Sequence, residues 1–261
     1  MNFSEILRQL DDERRNLARD GESIDRRPAV TRLWHTSGAF YNVSWANLTG
    51  HDPSAIIREE IDHHARLGVP FEWKHYAHDQ PPDLLEHVAA HGFIVGEAEA
   101  VMVYDLADKP AWMNKDAVAS GLSVRCVEDL QAVDAFREVA GAVFGKDYSL
   151  TANQLAEAIA AGSMEHRGYI SYVDDTPAGV GRLYTHPQSA FAGLYGGGTL
   201  PAFRGRGLYG AMVAARARDA IACGSQYLLV DALPTSRPIL ERMGFVQLTV
   251  TRPCEWGPRV L

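Results

Sequence analysis

The sequence predicts an α/β (α+β) fold in which one supersecondary unit occurs twice. Segments with helical spacing alternate with apolar, strand-like segments along the 261 residues, a pattern typical of sheets flanked by helices. A glycine, a strand, a short helix and a Gly-Phe pair follow one another at 68–93 and again at 224–245. Because a whole unit recurs, the pattern indicates duplication.

The second half of the chain gives the more complete series of elements. Its apolar spacing and its glycine and proline positions predict strand 122–127, helices 129–144 and 153–161, strands 169–173, 178–184 and 191–196, helix 207–222, strand 227–231, helix 237–243 and strand 246–252. Few residues remain after Pro253, so we expect any closing hairpin to be short.

The first half of the chain shows a similar order of helices and strands, with fewer residues that mark where each begins and ends. Apolar residues at positions 3, 6, 7 and 10 predict an amphipathic N-terminal helix. Downstream patterns predict helix 53–67, strand 71–77, a helix that starts at Pro82 and ends near 90, and strands to about 106. A polar segment with proline and glycine, 108–121, separates the halves. We therefore predict domains at 1–117 and 118–261.

A glycine-rich loop leads from a strand into the helix predicted at 207–222. The run extends from Gly193 to Gly210 and includes Gly205 and Gly207. The first backbone N–H groups of a helix have no partner within the helix, and they lie at the positive end of its dipole. Such groups bind phosphate oxygens, while glycine permits unusual backbone angles and close approach. The loop therefore predicts a pyrophosphate-binding site.

The same segment carries a family resemblance. Thr199-Leu200-Pro201 followed by Arg204-Gly205-Arg206-Gly207 resembles the coenzyme A loop of the GNAT superfamily of acyl-CoA N-acyltransferases. The predicted elements after residue 122 follow the GNAT order, and segment 71–79 resembles the first domain of tandem GNAT proteins. Tyr209 departs from the family pattern, which has Gly or Ala there. The resemblance implies two GNAT-like domains, each with a central mixed, mostly antiparallel sheet flanked by helices.

The resemblance also implies acetyl-CoA, or another acyl-CoA, as co-substrate, with no metal. The strand end at Thr199 and Leu200 would pair its backbone with the pantetheine arm. The residues implied to surround the pyrophosphate are Arg204, Gly205, Arg206, Gly207, Leu208, Tyr209 and Gly210. Because the main chain can bind phosphate by itself, the alternative for the two arginines is a solvated loop position.

The corresponding place in the first half lacks this loop. Residues 48–53 contain one glycine and no Arg-x-x-Gly pattern. They offer neither the donors nor the close-approach residues that a pyrophosphate needs. We therefore expect the first domain to be degenerate and to bind no coenzyme A.

The candidate catalytic residues depart from the family pattern at one position. Many GNAT enzymes have a tyrosine that protonates the departing thiolate at the position of Leu240. Ser236, which could equally cap the following helix, and Tyr195, which could equally be a core or surface residue, are the possible substitutes; alternatively, the thiolate leaves unaided. Asp231, at the carboxyl end of its strand, is the candidate base. Asp231 could instead be a turn or cap carboxylate with a structural role, and a water chain could then act as the base. Glu165 and His166 precede the second strand and could lie near the acceptor.

Composition and charge argue against several classes of partner. The hydrophobic fraction of 46% and charged fraction of 22% are ordinary for a globular protein, and the net charge of −8 argues against nucleic acid. No apolar stretch is long enough to predict a membrane span, and the charged start differs from a signal peptide. The three cysteines, Cys126, Cys223 and Cys254, have no C-x-x-C spacing, and the ten histidines show no H-E-x-x-H motif. We therefore expect a cytoplasmic protein without a metal site.

The sequence thus predicts an N-acyltransferase that moves an acyl group from coenzyme A to an amine of a small molecule or peptide. We expect a monomer or homodimer. The alternative is a non-catalytic acyl-CoA-binding protein, which the absence of a tyrosine at position 240 favours. The acceptor itself is not encoded in any motif, since acceptor contacts come from variable loops.

Overall fold

The computed structural model describes residues 2–114 and 121–257, and the chain groups into two compact units. The N-terminal unit comprises Met1–Met102, Asp231–Arg237 and Gln247–Leu261, and the C-terminal unit comprises Val103–Val230 and Pro238–Val246. The predicted boundary between 117 and 118 falls in 115–120, outside the described residues. The division into domains 1–117 and 118–261 stays a prediction.

Seven α-helices and twelve strands are described. In chain order they are α1 (Phe3–Asn16), β1 (Glu22–Arg26), β2 (Val30–His35), β3 (Tyr41–Ala46), α2 (Pro53–Leu67), β4 (Phe71–Tyr76), α3 (Leu84–Ala90), β5 (Ile94–Val95), β6 (Glu99–Asp105), β7 (Leu122–Cys126), α4 (Leu130–Phe144), α5 (Ser149–Ala160), β8 (His166–Val173), β9 (Thr176–Tyr184), β10 (Phe191–Thr199), α6 (Leu208–Ala222), β11 (Tyr227–Ala232), α7 (Arg237–Arg242) and β12 (Val246–Trp256).

The strands of each unit form a mixed, mainly antiparallel arrangement, which confirms the predicted fold class. In the N-terminal unit the strand order is β1-β2-β3-β4-β12-β6, and β5 pairs with β12. In the C-terminal unit the order is β6-β11-β10-β9-β8-β7. The parallel pairs are β3 with β4 and β10 with β11. Each parallel pair is connected through a helix, as parallel strands require.

The repeated unit predicted from the sequence is present in the structure. One copy runs β3-α2-β4-α3 and the other β10-α6-β11-α7. Gly68 and Gly224 follow the longer helix of each copy with φ of 69° and 81°. Gly92 and Gly244 follow the shorter helix with φ of 88° and 91°. These left-handed positions favour glycine, which explains why the sequence repeat is carried by glycines.

The last strands of the two copies are exchanged between the units. Strand β12 follows α7 in the chain, yet Thr251–Trp256 pair antiparallel with β4 of the N-terminal unit. Residues Val103–Asp105 of β6 follow α3 but belong to the C-terminal unit. The residues after Pro253, where we expected any closing hairpin to be short, continue β12 as far as Trp256, so the strand predicted at 246–252 is longer than expected.

Two further helix predictions need correction at their starts. The helix predicted to begin at Pro82 begins at Leu84. The helix predicted from 153 begins at Ser149, because the Asp147 carboxylate accepts hydrogen bonds from both the N–H and the hydroxyl of Ser149. An acceptor at this position satisfies donors that the first turn of a helix leaves unpaired.

Each unit has its own apolar core. In the N-terminal unit Trp73, Ile57 and Val43 are fully buried between the sheet and α2. In the C-terminal unit Phe136 of α4 and Leu155 of α5 pack on Ile170 and Val180. Burial of such side chains contributes about 1.5–3 kcal/mol each, so α4 and α5 are fixed firmly on one face of the C-terminal sheet.

The core of the N-terminal unit contains a neutral histidine, which predicts a pH dependence of stability. His64 is 2% exposed and stacks on Phe71, with ring centroids 3.9 Å apart. Burial lowers the pKa of His64 from 6.5 to about 4. Because folding favours the neutral ring, its stabilising contribution is complete above the unfolded pKa of about 6.5 and is lost as the pH falls towards the folded value.

We therefore expect the free energy of unfolding to decrease between about pH 6.5 and pH 4. His75, whose pKa burial also lowers to about 4, adds to the same window. The His64→Gln variant should show a shallower decrease in denaturant unfolding measured across this range. An identical slope for the variant and the parent would contradict the assignment to His64.

Candidate functional site

A gap between two parallel strands opens beside the glycine loop. The pairing of β10 with β11 joins Phe191–Gly193 to Tyr227–Leu229 and ends there. Within the described part of the chain, no residue of β10 after Gly193 is paired with β11. The backbone groups of Leu194–Thr199 on this side therefore form an open strand edge, to which an extended ligand can add hydrogen bonds.

A β-bulge interrupts β10 within this open segment. Tyr195 pairs with Arg182 of β9 and Gly198 pairs with Val180, so two residues of β10 face one residue of β9. Gly196 in the bulge has φ of 52°, which a side chain would strain. A bulge leaves one residue out of the ladder and redirects its backbone groups. It therefore provides hydrogen-bonding groups at the strand edge.

The glycine loop ends at the N-terminus of α6, where no side chain caps the helix. The N-cap is Gly207, with φ of 87°, and Gly205 has φ of 77°. A Cβ added to Gly205, Gly207 or Gly210 would meet no atom within 4 Å, so the surface around the loop is open. The helix of 15 residues supplies a full dipole. These features confirm the predicted strand, glycine loop and helix start.

The implied coenzyme residues differ in what their groups already bind. The N–H of Leu200 donates to Ala178, and its carbonyl accepts from Phe203. Nε of Arg204 donates to the Thr199 carbonyl at 3.2 Å, which ties the loop to the strand end. Arg206 lies over the Phe203 ring, with Cζ 5.5 Å from its centroid. Both arginines are exposed.

Leu208 and Tyr209, the first two residues of α6, make different contacts with the sheet. Leu208 is 2% exposed and packs against Val173 and Ala178, which fixes the helix start on the sheet. The ring of Tyr209 lies beside the bulge, 3.2 Å from where a Cβ of Gly197 would stand. The departure from the family pattern at position 209 therefore places an aromatic ring against β10.

The matching helix of the N-terminal unit has a different start. The carboxylate of Asp52 caps α2 and accepts from the N–H of Ser54 at 3.0 Å. Pro53, the first residue of the helix, has no N–H. One donor is thus occupied, another is absent, and a negative charge stands where a phosphate would bind. These features support the expectation that the N-terminal unit binds no coenzyme A.

The two candidate acids have other contacts. The Tyr195 ring folds back over Gly193, since a Cβ on Gly193 would stand 2.5 Å from its Cε2. The ring therefore points along β10 away from the glycine loop. The Ser236 hydroxyl donates to the Leu233 carbonyl at 3.2 Å in the turn before α7. Leu240 is fully buried.

Asp231 lies in a charged cluster of the N-terminal unit. Its Oδ2 accepts from Nζ of Lys74 at 2.5 Å. Burial raises the pKa of Glu72 and of Glu99, and the charge of Asp231 raises both further. A carboxylate with a raised pKa is a better proton acceptor near neutral pH. Lys74, Glu72 and Glu99 could not be predicted from the sequence, because 157 positions separate Lys74 from Asp231 and no local motif connects them.

In residues 2–114 and 121–257, no group of three or more His, Cys, Asp or Glu side chains is arranged to hold a metal ion. No described helix is both long and apolar enough to cross a membrane. His87 of α3 and His91, the residue that ends this helix, are linked by a hydrogen bond from the His91 ring to the His87 carbonyl.

Comparison with solved structures identifies the fold. A GCN5-related N-acetyltransferase from Kribbella flavida aligns over 99% of this chain and 95% of its own, with a TM-score of 0.68 and 14% identity. One from Sphaerobacter thermophilus aligns over 97% and 91%, with a TM-score of 0.62 and 12% identity. This chain has the GNAT fold. A tandem GNAT protein from the clavulanic acid biosynthesis pathway aligns over 93% and 86%, with a TM-score of 0.59 and 15% identity.

Sequence comparisons add no further relative. No family model matches the chain, and no curated protein matches it. The likeness to GNAT structures therefore rests on the path of the backbone, and the activity must be argued from the site.

Proposed function

We propose that this chain is an acyl-CoA-dependent N-acyltransferase, which moves an acetyl or other acyl group to an amine of a small molecule or peptide. One continuous feature of the C-terminal unit carries the proposal. The open edge of β10 leads through the bulge into the glycine loop and the uncapped start of α6. An extended pantetheine arm suits a free strand edge, and a pyrophosphate suits free helix N–H groups.

The coenzyme contacts we propose follow the direction of the chain. The arm would lie along β10 up to Thr199, and the loop from Arg204 to Gly210 would surround the pyrophosphate. Because the Leu200 N–H is donated to Ala178, Leu200 would contribute its carbonyl or its side chain. The proposed backbone donors for the arm are those of the bulge at Gly196 and Gly197.

Acyl transfer requires alignment of the reactants, a polarised thioester carbonyl and loss of a proton from the amine. We propose Asp231 as the base, in the environment of Lys74, Glu72 and Glu99. Ser236 or Tyr195 would protonate the thiolate, or the thiolate would leave without an acid. The contacts of Ser236 with Leu233 and of Tyr195 with Gly193 favour departure without an acid.

A non-catalytic acyl-CoA-binding protein is the second candidate. The observation that favours it is the fully buried Leu240 at the position where many GNAT enzymes have a tyrosine. In that case the coenzyme loop would be used for sensing rather than for transfer. We further propose that the protein is cytoplasmic, a monomer or homodimer and independent of a metal, with a degenerate first domain.

Binding and turnover of the full chain test these proposals. We expect calorimetry to show one acetyl-CoA per chain, because α6 offers a free N-terminus whereas Asp52 and Pro53 close that of α2. We also expect release of free thiol with at least one member of an amine panel. Binding without thiol release would favour the sensor, and two molecules per chain would contradict the assignment to α6. Absence of binding would overturn both candidates.

A further inference from the structure

Arg182 of the C-terminal unit is a cation without a carboxylate partner among the described residues. Three other arginines of this unit, Arg125, Arg137 and Arg167, each have an aspartate within 4 Å. Nη1 of Arg182 donates to the hydroxyl of Tyr184 at 3.1 Å. Its Nε is buried and has no hydrogen-bond partner. A partly buried guanidinium with unused donors is an anion-binding group.

The guanidinium lies directly against the bulge of β10. A Cβ on Gly196 would stand 3.3 Å from Nε and 3.4 Å from Nη2 of Arg182. In the sheet, Arg182 is paired with Tyr195, the residue before the bulge. The unused donors are thus at the segment of β10 whose backbone we propose to hold the arm of the coenzyme.

Arg182 faces away from the helix that carries the coenzyme loop. A Cβ on its neighbour Gly181 would contact Met212 and Arg216 of α6. A Cβ on Gly198 would instead contact Val143 and Phe144 of α4, on the face that Arg182 shares by strand alternation. The pyrophosphate belongs at the start of α6, on the opposite face. An anion bound by Arg182 would therefore come from elsewhere than the pyrophosphate.

Two positive charges make this part of the sheet favourable for an anion. Arg216, which is 1% exposed, donates through Nη1 to the carbonyl of Arg182 at 3.0 Å. Burial, and to a smaller extent the charge of Arg182, lower the pKa of Arg216 to about 10. An added negative charge would relieve this repulsion.

Aromatic rings surround the guanidinium on the same face. Tyr184 meets Tyr195 edge-on, with centroids 5.2 Å apart, and stacks on His166 at 4.1 Å. Tyr148 is near enough for the charge of Arg182 to act on its phenol. A cation surrounded by aromatic rings suits a small molecule that has a carboxylate and an apolar side chain.

We propose that Arg182 binds a carboxylate of the acceptor, so that the acceptor is an amino-acid-like amine with its own carboxylate. The inference rests on the proposed N-acyltransferase function and names the acceptor class for that site. Arg182 would position the acceptor through charge-assisted hydrogen bonds while the amine reaches the thioester at the bulge. The rival source of a carboxylate is the acyl group of a dicarboxylic acyl-CoA.

Matched acceptor pairs test the proposal. We expect kcat/KM for an amino acid with an apolar side chain to exceed that for its primary amide by about 10- to 100-fold, as for a charge-assisted hydrogen bond. The amide has the more easily deprotonated amine, so a preference for the acid cannot arise from proton loss. The Arg182→Gln variant should lose this preference while its KM for acetyl-CoA is unchanged, and Arg182→Lys should keep part of it.

Arg125→Gln is the matched control, because Arg125 belongs to the same unit and also lies over a tyrosine ring, with Cζ 4.4 Å from the Tyr172 centroid. It should retain the parent's preference. Equal rates for acid and amide in the parent, or a preference that survives in Arg182→Gln, would overturn the proposal. A selective loss of activity with succinyl-CoA in Arg182→Gln, with the acceptor preference intact, would assign the carboxylate to the acyl group instead.

A binding measurement separates this inference from the proposed function. N-acetyl amino acids and their amides are titrated into the full chain, with and without coenzyme A, by calorimetry. We expect the acid to bind more tightly in the parent and equally weakly in Arg182→Gln. If no amine is turned over, this result still supports the carboxylate site while the transferase proposal fails. If the parent does not distinguish acid from amide, the carboxylate site is refuted whatever the turnover.

Discussion

Replacing Gly207 by valine is expected to reduce acetyl-CoA affinity by at least about 100-fold, because two effects combine. The N-cap of α6 has φ of 87°, a conformation that costs a β-branched residue on the order of 1–2 kcal/mol. Relief of that strain would rotate the N–H groups away from the phosphate oxygens. The new side chain would also occupy the open space beside the loop. Calorimetry with the full chain measures the loss.

The Gly224→Val variant provides the matched control at the other end of the same helix. Gly224 has φ of 81° and, like Gly207, no atom within 4 Å of an added Cβ. Both variants should therefore lose similar stability in denaturant unfolding, whereas acetyl-CoA affinity should fall in Gly207→Val alone. Equal affinity losses would mean that strain in α6 rather than the loop is responsible, and the phosphate site would have to lie elsewhere.

Local signals explain what could be predicted of the fold. The start and end of α6 follow from Gly207 and Gly224, whose left-handed backbone is encoded where it occurs. The strands β1, β2 and β3 were not assigned, although Tyr41–Ala46 alternates apolar and polar residues and the charged residues of 22–46 all lie between Glu22 and Arg32. The exchange of β12 and β6 was also missed. Strand pairing between distant segments depends on the whole sheet, and no residue near Pro253 specifies it.

In the candidate site, too, the features encoded locally could be predicted and those formed between distant residues could not. The coenzyme loop is contiguous in sequence, so its glycines and helix start predicted it. The ion pair of Asp231 with Lys74 and the setting of Arg182 beside Gly196 depend on contacts made after folding. A lone arginine on a strand has no motif to distinguish it from a surface residue. Its lack of a carboxylate partner becomes visible in the structure.

Replacing Asp231 by asparagine is expected to lower kcat by about 10²- to 10⁴-fold with little change in acetyl-CoA affinity, as for loss of a general base. Asparagine keeps the shape of the side chain and cannot take a proton from the amine. Asp231 lies on β11 itself, two residues after Leu229, where the pairing of β11 with β10 ends. Single-turnover and steady-state rates measure the effect.

The Lys74→Met variant separates chemistry from structure. It removes the same ion pair but leaves the carboxylate of Asp231, so it should retain most of kcat if Asp231 is the base. Equal losses in both variants would indicate that the pair acts by holding the strands. A loss below tenfold in Asp231→Asn would transfer the role to Glu99 or Glu72, whose pKa burial raises, and Glu99→Gln would then carry the large effect. In either case Tyr195→Phe and Ser236→Ala should cost less than tenfold, because the contacts of both side chains favour a thiolate that leaves without an acid.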